Sequence, residues 1–148
     1  MNPIIITSLI LLYSIVAGAQ QNPTKTQLEV QQPIINIFQA LSNWDSVSLR
    51  NNCTPDVRFY EYGESWTIDT LIHRAITKNI ATDFKRTNTF EFINTTIKCD
   101  VAWATYNLTS TITSNGNERI VNWTETVILL RDKKQWKLAV LQSTRVGK

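Results

Sequence analysis

Glu125 and Gln142 lie on the two apolar runs that close the chain, "ERIVNWTETVILL" (118–130) and "QWKLAVLQSTRV" (135–146). The linker between them fits a tight turn centred on Lys133-Lys134. Pairing the runs across that turn sets Arg131 opposite Trp136, Leu129 opposite Leu138, Val127 opposite Val140, Glu125 opposite Gln142 and Trp123 opposite Thr144. Cross-strand partners share a face, and alternate residues stay on it. One face then holds Trp123, Val127, Leu129, Trp136, Leu138 and Val140, with Glu125 and Gln142 among them. The other holds Asn122, Thr124, Thr126, Ile128 and Leu130 with Lys137, Ala139, Leu141, Ser143 and Arg145. The first is expected to be a concave core face, the second an outer or dimer face. A three-residue turn would instead set Gln142 opposite Thr124.

Burial in an apolar wall raises a carboxylate's pKa, and a neighbouring amide can donate to it or to a ligand carbonyl. Glu125 is thus the candidate general base, with Gln142 orienting a carbonyl. In the competing reading, Glu125 pairs with a Lys or Arg at the rim, or only stabilises the sheet with Gln142. Glu61 shares a strand face with Val57 and Phe59, either pointing inward or standing as an edge carboxylate beside Gly63. Asp45, next to Trp44, either faces a pocket mouth or supplies negative charge at a helix start. His73, the only histidine, falls on the flank of a helical stripe and reads as a partly exposed helix residue. Of the five tryptophans, Trp44, Trp103 and Trp123 are candidate ligand-binding aromatics, with core filling as the alternative. No Ser/His/Asp, Cys/His or phosphate-cradling Gly-rich spacing is present, and no metal site or cofactor is expected.

The elements that position these residues follow from periodicity. Pro33 reads as a first helical residue, after which Ile34, Ile37, Phe38, Leu41 and Trp44 recur at helical spacing. Ser42 and Asn43 can break and recap the helix, giving a second short one through Arg50. "VRFYEY" (57–62) alternates as a short strand that Gly63 ends. Thr67 caps the next helix, with Asp69 in its first turn and Ile68, Leu71, Ile72, Ala75 and Ile76 as its buried stripe. From Thr87 onward four long strands alternate with the turns "CD", "SNGN" and "RDKK". The class is α+β: a cone-shaped, curved antiparallel sheet of four long C-terminal strands plus a short one, wrapped around N-terminal helices.

The first residues belong to a different category. Ile4–Val16 is apolar and Ala17-Gly18-Ala19 forms a small-x-small site, the pattern of a secretory signal peptide cleaved after Ala19. A membrane anchor is the competing reading, but the stretch falls short of the roughly 20 residues a span needs. The chain divides into a signal peptide (1–19), a polar lead-in (20–32) and one domain (33–148). The expected location is periplasmic or secreted, with no membrane association after cleavage. The net charge of +3 is scattered and not gathered into a basic face with interleaved aromatics, so no nucleic-acid partner is expected. Cys53 and Cys99 form either an export-compatible disulfide or two separate thiols. Sequons at Asn52, Asn94, Asn107 and Asn122 matter only in a glycosylating secretory pathway.

The stretches "NWDSVSLRNNCTPDVRFYEYG" (43–63), "TIDTLIHRAI" (67–76), "CDVAWATYNL" (99–108) and "VILLRDKKQWKLAVLQS" (127–143) together resemble the nuclear-transport-factor-2-like superfamily. Its steroid-isomerase-like and SnoaL-like members commonly show an acidic residue in the first helical hairpin, matched by Asp45. Pro55-Asp56-Val57, Cys99-Asp100-Val101-Ala102 and Trp136 through Ser143 match its later motifs. The resemblance runs from about residue 28 to 146 and implies the cone fold. It does not select a function, because the superfamily hosts isomerases, dehydratase-like enzymes and non-enzymatic pocket or dimerisation modules. Many relatives carry His near the end of the last strand. Gln142 stands there, which argues against catalysis relying on that His. The leading expectation is an exported module that binds a small apolar or amphipathic molecule and forms a homodimer through its outer sheet face. The rivals are an isomerase- or dehydratase-type enzyme using Glu125 as general base, and a pure dimerisation module with a filled cone.

Overall fold

A computed structural model describes residues 22–79 and 81–147. The expected signal segment, 1–19, lies outside the described residues. Helix α1 (Lys25–Ser42) leads to the short α2 (Ser46–Asn51), followed by β1 (Cys53–Glu61) and β2 (Glu64–Trp66). Helix α3 (Ile68–Ile72) continues as one π-helical turn over His73–Thr77. The long strands β3 (Lys85–Lys98), β4 (Val101–Ser114), β5 (Asn117–Asp132) and β6 (Gln135–Val146) complete a six-stranded sheet in the order β2-β1-β6-β5-β4-β3. All neighbours are antiparallel except β1 and β6. The expected α+β class with four long C-terminal strands is therefore present, and the sheet is curved and unclosed.

Helix α1 begins eight residues before Pro33, which lies inside it and not at its first position. Thr24 and Gln27 form a reciprocal capping box that starts the helix upstream. Gln27 Nε2 donates to the Thr95 carbonyl and Gln31 Nε2 to Thr95 Oγ1, both at 2.9 Å, which pins the early turns to β3. These bonds offset the backbone hydrogen bond that proline cannot make. Val30, Ile34, Ile37, Phe38 and Leu41 form the buried stripe of α1. It packs on Ala102, Ala104, Tyr106 and Leu108 of β4, Val127 and Leu129 of β5, and Leu138 and Leu141 of β6. Asp45 is the N-cap of α2: its carboxylate accepts from the Ser48 N–H at 2.9 Å and from Ser48 Oγ at 2.6 Å. Those two bonds hold its pKa below the usual carboxylate value.

Strand β1 starts at Cys53, four residues before the expected Val57. Pro55 does not stop it because the pairing with β6 is irregular between Cys53 and Arg58, where no N–H is required. Tyr62 and Gly63, both at positive φ, make a two-residue turn into β2, a three-residue strand too short to show as a pattern.

Two bulges bend the sheet. Ile93 is extra on β3 between the pairs Phe92–Tyr106 and Asn94–Thr105. Ala139 is extra on β6, where Leu129 pairs with Leu138 but Ile128 pairs with Val140. Such insertions kink a strand and increase its twist, which curves the sheet around α1. The second bulge corrects the expected register. The Lys133-Lys134 turn and the pairs Arg131–Trp136 and Leu129–Leu138 are as expected. Beyond Ala139 every partner moves by one: Thr126 faces Gln142, Glu125 faces Ser143 and Trp123 faces Arg145. Leu141 and Ser143 consequently turn inward and are buried, while Gln142 turns out and is exposed.

Cys53 is buried and Cys99 exposed at the β3–β4 turn, and the two are not bridged. The outer face of β4, β5 and β6 has two halves. Near the β5–β6 turn Val101, Trp103, Ile128, Leu130 and Val140 lie on adjoining strands, with Val101, Ile128 and Leu130 exposed. Farther along, threonines and asparagines pair across strands, Thr109 with Asn122 at 2.8 Å and Thr124 with Asn107 at 3.0 Å.

Candidate functional site

The inner face of β5 reads Arg119, Val121, Trp123, Glu125, Val127, so apolar wall and polar groups share one surface. Opposite it, the strand end of β1 brings Glu61, the β1–β2 hairpin brings Tyr62 and Trp66, and α3 with its π-helical turn brings Leu71, Arg74 and Ala75. Of these, Arg74 and Ala75 lie on the wider π turn, Leu71 on the α-helical part before it. Between these elements lies an open cleft of about 450 Å³. Its lining also includes Phe38 and Leu41 of α1, Phe84, and Arg86 of β3. The cleft combines an aromatic wall with a few polar groups.

Glu125 is the most buried charge-bearing group of the cleft, at 2% exposure. Ser143, its cross-strand partner, donates from Oγ to Glu125 Oε1 at 3.0 Å. Glu125 Oε2 has no hydrogen-bond partner, and neither does Tyr106 Oη, which comes from the residue directly opposite on β4. The Tyr106 hydroxyl is near enough to act on the carboxyl, yet no hydrogen bond of normal geometry joins them. Burial pushes the Glu125 carboxyl up to about 7, while the Tyr106 and Ser143 hydroxyls pull it back; nearby Glu61 raises it and Arg86 lowers it. Burial likewise pushes the Tyr106 phenol well above its ordinary value, and the Glu125 charge adds to that. Glu61 is half-buried at the cleft, its pKa raised by burial and pulled back by Arg86.

Arg86 is the cation of this group. Its Nε donates to Asn88 Oδ1 at 2.9 Å and its Nη2 to Ser110 Oγ at 3.1 Å. The guanidinium carbon lies 5.4 Å from the centre of the Phe38 ring and 5.7 Å from that of Trp123. Burial lowers its pKa, and Glu125 and Glu61 raise it. A guanidinium stacked on aromatic faces and bonded only to neutral groups is held in place without being neutralised.

Of the residues named from sequence, the structure brings Glu61, Trp123 and Glu125 together at the cleft. Gln142 is not beside Glu125; it borders a smaller groove of about 350 Å³ shared with Glu61, Tyr62 and Trp123. Trp44 stacks on Phe84 at 5.2 Å, one residue removed from the cleft lining. Trp103 points from the opposite face of β4, with Lys98 Nζ 5.8 Å from its ring centre. His73 is exposed on the π turn.

Sequence reasoning missed Tyr106, Ser143, Arg86 and Trp66. The alternation Ala102, Ala104, Tyr106, Leu108 carried the signal for Tyr106, since all four share the buried face. Arg86 was findable from its spacing to Phe90 and Phe92, which lie on the same side of β3. Ser143 was hidden by the bulge. Among the described residues, no group of His, Cys, Asp and Glu side chains is arranged to hold a metal ion.

No family model and no curated protein matches the sequence. Solved structures do match. The CamKII hub homology domain of Chlamydamonas reinhardtii superposes with a TM-score of 0.74 at 15% identity, covering 84% of this chain and 100% of that one. A ketosteroid isomerase-like protein from Erwinia carotovora atroseptica gives 0.68 at 14% identity, with 84% and 99% coverage. A nuclear transport factor 2-like superfamily protein from Salmonella enterica gives 0.70 at 13%, with 82% and 92% coverage. At these identities the likeness concerns backbone architecture. The chain has the nuclear-transport-factor-2-like fold.

Proposed function

We propose that this chain is an exported small-molecule-binding module whose cleft takes an amphipathic ligand and whose outer sheet face joins two copies. The observation that carries the binding reading is Glu125 Oε2, a buried polar atom without a hydrogen-bond partner on a residue that lines an open aromatic cleft. A buried polar group without a partner costs about 1–3 kcal/mol, so an arrangement that keeps one at the cleft is explained by a ligand group that uses it. A hydroxyl or carbonyl would suit it, with the ligand body against Trp66, Trp123 and Phe38. Self-association rests on the exposed apolar cluster of Val101, Ile128 and Leu130 on the outer face. Two of the fold neighbours are described as an association domain and a hub homology domain, in keeping with this reading. Export rests on the sequence of residues 1–19 alone.

Native mass spectrometry of protein purified from its own compartment tests all three parts together. The expected spectrum is a dimer of chains starting at Gln20, with a retained small molecule. A ligand-free monomer beginning at Met1 would oppose every part.

One observation favours a second reading. A carboxyl near 7 bordering a cleft can take and return a proton at neutral pH, as a general base in an isomerase- or dehydratase-type reaction requires. Under this reading, protein in deuterated buffer exchanges hydrogen next to a carbonyl of the retained molecule, and Glu125→Gln abolishes the exchange. Equal exchange by both proteins would remove Glu125 from catalysis.

A further inference from the structure

The strand pairing places a row of two cations at the mouth of the cleft. Ile112 of β4 pairs with Arg86 on β3 and with Arg119 on β5. Cross-strand partners share a face, and Ile112 is buried, so all three belong to the inner side of the sheet. With neighbouring strands about 4.8 Å apart, the two arginine backbones sit roughly 10 Å from one another. Both side chains border the cleft, and Lys78 borders it as well. Among the described residues none of the three forms an ion pair; the ion pairs join Arg50 to Asp69, Arg74 to Glu64 and Lys137 to Asp132. Glu61 and Glu125 are near enough to act on Arg86, but among the described residues neither forms an ion pair with it, and Glu125 Oε1 is already held by Ser143.

Resting on the binding reading above, we propose that the ligand of the cleft is an anionic amphipath: an apolar, ring-bearing body whose single carboxylate, sulfonate or phosphate head is held between Arg86 and Arg119. Trp123 and Phe38 then serve twice, stacking on the Arg86 guanidinium and flanking the ligand body. The two arginines repel one another across the mouth, and an anion between them relieves that repulsion. The Glu125 end remains free for a hydroxyl or carbonyl of the same molecule.

The test uses two fluorescent probes of nearly the same aromatic body, anilinonaphthalene sulfonate and its uncharged parent phenylnaphthylamine. They are titrated into the full-length protein and into Arg119→Gln and Arg86→Gln. Removing one cation about 6 Å from an anion, at an effective dielectric constant of about 20–40, weakens binding by about ten- to a hundredfold. The sulfonate probe is therefore expected to bind at least about tenfold more tightly than the neutral one. Each substitution should weaken sulfonate binding more than neutral-probe binding, remove most of that advantage, and reduce the salt dependence of sulfonate binding. Arg119 is exposed on the strand, so Arg119→Gln keeps the test valid if Arg86→Gln fails to fold. Equal affinity for both probes, or sulfonate binding insensitive to Arg119→Gln, overturns the anionic head while leaving the binding cleft standing. Failure of both probes to bind overturns the cleft reading with it.

Discussion

Replacing Glu125 with glutamine should make the protein more stable at neutral pH and change how its stability depends on pH. The folded carboxyl titrates at about 7, against 4.5 for an unperturbed glutamate. Below the lower value both states are protonated, and Glu125 imposes no electrostatic penalty. As pH rises from 4.5 to 7 the unfolded chain gives up its proton while the folded chain keeps it, so folding loses stability across this window. A difference of about 2.5 units at roughly 1.4 kcal/mol each gives a penalty of about 3 kcal/mol, fully developed above pH 7. Glutamine keeps an acceptor for Ser143 Oγ and carries no charge, so Glu125→Gln should escape most of this penalty. Other groups also titrate in the window, Glu61 among them with a pKa shifted the same way. The difference between the two proteins cancels them to first order. Urea denaturation at fixed protein concentration, from pH 4 to 8, should show the two curves close together at the acid end and separating by about 3 kcal/mol at pH 8. A separation that stays constant with pH would refute the assignment of a raised Glu125 pKa.

Three further outcomes follow from other parts of the molecule. Tyr106→Phe removes a hydroxyl that pulls the Glu125 carboxyl down, so that carboxyl should titrate above 7, as followed by carbon-13 chemical shift of its carboxyl carbon. Thiol titration of the reduced native protein should label Cys99 at once and Cys53 only after denaturation, because Cys53 is 3% exposed and burial pushes its thiol up to about 12. Ile128→Lys paired with Leu130→Lys places two like charges in the apolar outer cluster. The doubly substituted chain should sediment as a monomer with an unchanged circular dichroism spectrum, whereas under the proposed self-association the original should sediment as a dimer.

Much of the scaffold was legible because long alternating strands and tight turns leave few choices. The Lys133-Lys134 turn, the alternation along β4 and the α1 stripe each follow from local pattern. The site was only partly legible, and the reason is specific. Along Leu138-Ala139-Val140-Leu141 every residue is apolar, so the pattern fits a regular strand and a bulged one equally well. One inserted residue then decides whether Gln142 or Ser143 meets Glu125, and that insertion answers to the curvature of the whole sheet. The capping box at Thr24 and Gln27 was a readable signal for an earlier start to α1, but Pro33 offered a competing first position. Arg86 sits on the edge strand, where a charge is ordinarily a solvated group. Its spacing to Phe90 and Phe92 puts it on their side of β3, and its pairing with the buried Ile112 shows that this side faces the cleft.

The cleft bounded by Trp123, Trp66 and Glu125 is the proposed binding place for a small molecule. The five tryptophans are built-in reporters of location, since each indole N–H gives its own nitrogen-15 correlated signal. Trp66 and Trp123 border the cleft, Trp44 stacks outside its lining, Trp103 is on the outer face and Trp136 is in the core. Titration with anilinonaphthalene sulfonate is predicted to shift the Trp66 and Trp123 signals together, saturably, while those of Trp103 and Trp136 stay in place. A saturable shift confined to Trp103, with Trp66 and Trp123 unmoved, would contradict the account.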